Sequence, residues 1–131
     1  MPLALPALTT LVAVLLYYAT IGNVGRARAK YKIAAPATTG HPDFERAFRV
    51  QMNTLEQLAA FLPALWLFAL YQSPAWASLF GAMWIVGRAL YAVGYYRAAE
   101  KRDAGFVIGF VAFAALWLGA AWGVIAALLR G

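Results

Sequence analysis

The segment from Glu45 to Gln57 sets Glu45, Arg46, Arg49, Gln51, Asn53, Glu56 and Gln57 into an otherwise apolar stretch. On a helix, Arg46, Arg49, Asn53, Glu56 and Gln57 fall within an arc of about 100°. A second stripe, Arg88, Tyr91, Tyr95 and Arg102, falls within about 60° by the same arithmetic. Guanidinium groups bind carboxylates through paired, charge-assisted hydrogen bonds. The lining counts Arg49, Arg88, Arg102 and Arg28 against Glu56, so it predicts an anionic ligand, and the lone acid suits an amine. Two plainer readings stay open. Arg88 and Glu56 would also serve as a structural ion pair, and Arg97, Lys101 and Arg102 as anchors at a membrane surface.

Such stripes need a scaffold, and the composition says which kind. Of 131 residues, 64% are hydrophobic and 12% are charged. Soluble domains carry roughly 25% charged residues. A membrane span takes about 20 apolar residues, so four spans and short loops use the whole chain. The fold class expected is an all-α membrane protein, a single four-helix transmembrane domain over residues 1–131. Ionisable groups at membrane depth are costly and face a bundle interior, which is where the two stripes belong. The chain has no cysteine, which excludes disulfides and a cysteine nucleophile. His41, the only histidine, lies in a Gly-His-Pro turn without partners for a metal. The net charge of +6 does not point to nucleic acid, because the basic residues gather at helix ends where lipid headgroups lie.

The first apolar run spans about Leu3 to Val24, and Arg26, Arg28, Lys30 and Lys32 follow it. With no basic residues before that run, it is expected to be a retained span rather than a cleaved signal. The turn-rich stretch from Ala35 to Pro42 leads to Asp43, which fits the N-cap of a second helix ending near Tyr71. The third helix is expected from about Ala75 to Lys101, the third turn at Asp103, Ala104 and Gly105, and the fourth helix from about Phe106 to Leu129. The first and third loops are flanked by basic residues and the second carries no charge. The positive-inside rule then places loops one and three in the cytosol and both termini opposite, with Arg130 a small counter-vote.

Folding the second helix onto the third about the turn at Gln72 and Ser73 sets Glu56 level with Ala89, beside Arg88. Asn53 then lies beside Tyr91, and Arg49 beside Tyr95. Gln51 lies about 170° around the second helix from the stripe. It cannot serve the same pocket within one subunit, so it predicts a second protein surface and a site at a subunit boundary.

Glu45-Arg46-Ala47-Phe48-Arg49-Val50-Gln51-Met52-Asn53-Thr54-Leu55-Glu56 resembles the E-R-x-x-R-x-x-x-N-x-x-E signature of the MAPEG family, the membrane-associated proteins of eicosanoid and glutathione metabolism. The preceding Thr38-Thr39-Gly40-His41-Pro42-Asp43-Phe44 is similar to the loop before that signature in leukotriene C synthase-like members. Gly87-Arg88-Ala89-Leu90-Tyr91-Ala92-Val93-Gly94-Tyr95, followed by Arg97 and Arg102, gives a second match. The resemblance implies a homotrimer of four-helix subunits with glutathione as cosubstrate, no metal, and a lipophilic electrophile as second substrate. It implies that Arg49, Asn53, Glu56, Tyr91, Tyr95 and Arg102 hold glutathione from one subunit, and that Arg28 and Gln51 come from the neighbour. It further implies that Arg102 stabilises the thiolate.

Two positions depart from the leukotriene-synthesising members. Ala29 replaces a second arginine near the reaction, and Gln57 replaces a tyrosine beside glutathione. A general glutathione transferase or peroxidase fits these departures better. Two rival classes remain: a non-catalytic lipid-binding scaffold of the same fold, and a small multidrug exporter. The exporter would bind cations, whereas this lining has an excess of arginine.

Overall fold

The computed structural model describes residues 2–131. It contains four long helices, α1 (Ala4–Tyr31), α2 (Pro42–Tyr71), α3 (Pro74–Arg97) and α4 (Asp103–Arg130). A single 3-10 turn, Ala99–Arg102, joins the last two. Each helix is long and apolar enough to cross a membrane. α2 and α3 pack side by side; α1 lies against both, and so does α4.

The helix ends follow from local chemistry. Pro42 and Pro74 open α2 and α3, where a missing N–H costs nothing. Ser73 Oγ accepts from Trp76 N at 3.2 Å. The cap of α2 is His41, whose Nδ1 accepts from Asp43 N at 3.1 Å. This corrects the expectation of Asp43 as N-cap: Pro42 needs no partner, which moves the cap one residue upstream of it. Asp43 instead accepts from Tyr31 Oη at 2.9 Å and pairs with Arg46. α1 runs past its apolar stretch to Tyr31, so Arg26, Arg28 and Lys30 are helical.

The third turn also differs from expectation. α3 stops at Arg97, Ala98 is extended, and the 3-10 turn occupies residues expected to end the third helix. Asp103 begins α4 rather than forming the turn. The reason lies at Gly94, where a β-carbon would collide with the Lys101 backbone, so only glycine lets the chain fold back so closely.

The core is a layer of Phe61, Leu65, Trp84 and Leu116, filled out by alanines. Phe61 and Trp84 stack with centroids 4.0 Å apart. Trp66 Nε1 donates to Thr10 Oγ1 at 2.9 Å, tying α2 to α1. α3 and α4 meet at Gly87, Gly105 and Gly109. A β-carbon on Gly87 would lie 2.5 Å from Gly109 N, and one on Gly105 would strike the Tyr91 backbone. Small residues permit this approach, which is how membrane helices gain contact without a hydrophobic driving force. The consequence for function is positional, because the crossing brings the start of α4 against Tyr91.

Candidate functional site

Arg49 and Asn53 share one face of α2, four residues apart, while Tyr91 and Tyr95 share one face of α3. With Arg102, Asp103 and Phe106 they line one cavity of about 370 Å³. The sequence stripes therefore meet, although Arg102 reaches the cavity from the 3-10 turn and not from a continuous helix. Its Cζ lies 5.3 Å from the Tyr95 ring centroid, and its Nη1 donates to Ala99 O at 3.2 Å.

Beneath this cavity Arg88 is only 2% exposed. Its Nη2 donates to Asn53 Oδ1 at 2.8 Å and to Thr54 Oγ1 at 3.0 Å, and its Cζ sits 4.1 Å from the Tyr91 ring centroid. Arg88 Nε has no hydrogen-bond partner among the described residues. Arginine has only donors, so Asn53 must turn its carbonyl to Arg88. Its NH2 group is then free to donate elsewhere.

The expected ion pair between Glu56 and Arg88 does not form. Among the described residues the ion pair present is Arg46 with Asp43. Arg88 extends about one helical turn toward the loop end, to Asn53 and Thr54, instead of crossing to Glu56. Glu56 and Arg88 still line a common cavity of about 350 Å³ with Gln57 and Phe106. Phe106 also belongs to the first cavity. A third, apolar groove of about 430 Å³ between α2 and α4 shares Ala60 and Phe113 with the second. One continuous face thus grades from arginines at the loop end, past Glu56, to hydrocarbon beyond mid-helix.

Arg28 and Gln51 lie elsewhere in the chain. Arg28 Nη1 donates to Ala37 O at 2.8 Å, and its Cζ sits 4.8 Å from the Phe44 ring centroid. Gln51 is half-buried on α2 and lines none of these three cavities. Sequence reasoning missed Thr54, Asp103 and Phe106. Thr54 follows Asn53 directly and is buried. Asp103, Phe106, Phe110 and Phe113 recur at helical spacing along α4 and all line the first or second cavity. That repeat is the available signal, and the turn-forming run Asp103-Ala104-Gly105 at its start obscures it.

The sequence profile of the MAPEG family matches residues 6–122. The chain belongs to the MAPEG family. This MAPEG chain is 59% identical over 115 residues to an uncharacterized protein of Synechocystis sp., covering 88% of this chain and 84% of that one. It is 43% identical over 102 residues to microsomal glutathione S-transferase 2 of Homo sapiens, covering 78% and 69%. It is 38% identical over 115 residues to leukotriene C4 synthase of Cavia porcellus, covering 88% and 75%. Family membership and the four apolar helices make it a multi-pass integral membrane protein.

Proposed function

We propose that this MAPEG chain is a membrane-bound glutathione transferase that activates the glutathione thiol for attack on lipophilic electrophiles. The observation that carries the reading is the gathering of Arg49, Asn53, Tyr91, Tyr95 and Arg102 around one cavity. The similarity to microsomal glutathione S-transferase 2 supports the substrate class. Arg49 binds a glutathione carboxylate, and Asn53 donates its NH2 group to the ligand. Tyr91 and Tyr95 fix orientation by hydrogen bonds. Glu56 accepts from the ammonium group.

Arg102 holds the thiolate. A free cysteine thiol has a pKa of about 8.5. Lowering it by about 2 units takes roughly 2.7 kcal/mol of preference for the ionised form. One guanidinium at hydrogen-bond distance supplies this only where water is scarce. The sulfur lone pair then attacks an electrophilic carbon, the carbon–sulfur bond forms, and the leaving group departs with its electron pair. The electrophile arrives from the bilayer along the apolar groove between α2 and α4, lined by Pro63, Leu67 and Trp117 among others.

The functional unit in this reading is a homotrimer. Glu56 sits at the midpoint of the 30-residue α2, about 20 Å from either end, and is exposed in the single chain. A carboxylate at that depth does not face lipid, so a neighbouring subunit covers it. The same neighbour brings Arg28 and Gln51 and removes the water that would screen Arg102, which is exposed in one chain. Basic residues crowd the ends carrying the first and third loops, which supports a topology with those loops in the cytosol and both termini opposite.

The test is conjugation of glutathione to 1-chloro-2,4-dinitrobenzene by the purified protein in mild detergent. Turnover with chloride release is expected. Glutathione binding without turnover on this or other electrophiles, or on a hydroperoxide, would favour the lipid-binding scaffold, whose specific support is the same α2–α4 groove.

A further inference from the structure

A separate system of cavities lies on the opposite side of α2 and α3, against α1. At the loop-one end, Asn23, Arg26, Lys30, Tyr31, Asp43 and Tyr96 line a cavity of about 550 Å³. Asn23, Arg26, Ala27 and Lys30 follow at i, i+3, i+4 and i+7, so one face of α1 supplies most of this wall. Asp43 is already engaged by Arg46 and Tyr31. Arg26 takes only a 3.1 Å bond to Asn23 Oδ1, and Lys30 lies 5.4 Å from the Tyr31 ring centroid. The chamber therefore sets two cations, Arg26 and Lys30, against one carboxylate, Asp43, whose direct partners are Arg46 and Tyr31, and its lining is left with an excess of positive charge.

It does not end there. A narrower groove of about 240 Å³ shares Asn23, Arg26 and Tyr96 with it and continues between α1 and α3. Its further walls are Leu16, Ala19, Thr20, Ala89, Ala92 and Val93. From Arg26 to Leu16 is about 15 Å along α1, and from Tyr96 to Ala89 about 10 Å along α3. Thr20 satisfies itself on Tyr17 O at 2.5 Å, so the groove offers almost nothing polar below the shared residues. Along the helix axes, a cationic chamber at the loop-one end thus leads into an apolar slot deeper between α1 and α3.

We propose that the α1–α3 face is a binding site for one anionic phospholipid, its phosphate held by Arg26 and Lys30 and the upper part of one acyl chain lying in the slot. A freely soluble phosphate would use the chamber but gain nothing from the slot. A zwitterionic lipid would use the slot but bring a cation toward Arg26 and Lys30. None of the residues proposed to hold glutathione lines either cavity, so the lipid and the thiol substrate occupy different sides of the subunit.

The experiment is native mass spectrometry of the purified full-length protein in mild detergent, titrated with dioleoyl phosphatidylglycerol or dioleoyl phosphatidylcholine. Each basic residue near an anionic surface contributes enough that the two together should favour phosphatidylglycerol by roughly tenfold or more. R26Q/K30Q should abolish that preference. A89F, which fills the slot and leaves the charges, should lower phosphatidylglycerol occupancy. R97Q, which removes an exposed cation lining neither cavity, should change nothing, and a hundredfold excess of inorganic phosphate should displace little lipid. Circular dichroism confirms that each variant remains helical. Equal binding of the two lipids, or a preference that survives R26Q/K30Q, would overturn the site. So would an equal loss in R97Q, which assigns the effect to general surface charge, or full displacement by phosphate, which assigns it to a soluble anion. If A89F instead lowers subunit association and leaves lipid occupancy unchanged, a second copy of the chain covers the groove and the proposal fails.

Discussion

Replacing Arg88 by methionine tests whether a buried guanidinium arranges the site or merely fills space. Methionine keeps much of the side-chain length and removes the charge. Two hydrogen bonds disappear, to Asn53 Oδ1 at 2.8 Å and Thr54 Oγ1 at 3.0 Å. In water-soluble proteins charged hydrogen bonds of this kind are worth about 1.5–3 kcal/mol each, but between membrane helices the measured average is nearer 0.6 kcal/mol. Against that loss stands relief from burying a charge with no carboxylate beside it, which itself costs several kcal/mol. The two effects oppose, so stability should change by only about 1 kcal/mol. Binding has no such compensation. Without Arg88 the Asn53 amide is free to flip, and its NH2 group no longer has to face the cavity.

Glutathione affinity in Arg88→Met should therefore fall about tenfold, or about 1.4 kcal/mol, measured by isothermal titration in detergent. A cycle with Asn53→Ala separates positioning from packing. If Arg88 acts through Asn53, the double variant should bind no more weakly than Asn53→Ala alone. Undiminished affinity in a folded Arg88→Met protein, or losses that simply add, would refute the reasoning.

Arg102→Ala should raise the apparent pKa of the bound glutathione thiol and slow turnover at neutral pH, with partial recovery at high pH; thiolate absorbance against pH checks this, and an unchanged titration leaves Arg102 a surface anchor. Glu56→Gln should weaken glutathione binding by about 1.5–3 kcal/mol, and a glutathione analogue lacking the amine should then bind mutant and wild type alike; additive losses would make Glu56 structural. Mass measurement in mild detergent should give a trimer, and a monomer that binds glutathione normally would end the shared-site reading. Gly105→Ala should drive α4 from Tyr91 and lower both thermal stability and glutathione affinity, whereas retention of both would show that the close crossing is dispensable.

The sequence disclosed most of the scaffold because membrane helices announce themselves by length and hydropathy. Proline and turn residues fixed the α2–α3 hairpin to within a residue at Gln72 and Ser73. The polar stripe of α2 was legible for the same reason, since Arg49, Asn53 and Glu56 have no business on a lipid-facing surface. The failures have different physical causes. Helical arithmetic carried Arg102 onto the third helix because nothing in Ala98 or Ala99 marks a break. The break depends on Gly94 meeting Lys101, a contact seven residues apart across a chain reversal that periodicity cannot see. Pairing Arg88 with Glu56 by level failed because a long side chain chooses among partners over a full turn, and two uncharged acceptors lay nearer the loop end.

The charges around the site also bear on why one chain is insufficient under the proposed function. Arg49, Arg88 and Arg102 stand against Asp103 and Glu56 across the two adjoining cavities. This leaves one positive charge. Glutathione with its thiol protonated carries two carboxylates and one ammonium, which brings the filled site to neutrality. Ionising the thiol adds a further negative charge, and nothing in the same chain offsets it. In a site partly emptied of water that imbalance would push the thiol pKa upward, against the direction catalysis needs. An arginine from a neighbouring subunit restores neutrality in the thiolate form, and Arg28 is the residue the proposed trimer would bring. Arg28 can serve, because its partners among the described residues are backbone carbonyls and an aromatic face and not a carboxylate. On this argument the oligomer is part of the acid–base chemistry: Arg102 stabilises the thiolate directly, and the neighbour's charge offsets the imbalance that would otherwise oppose it.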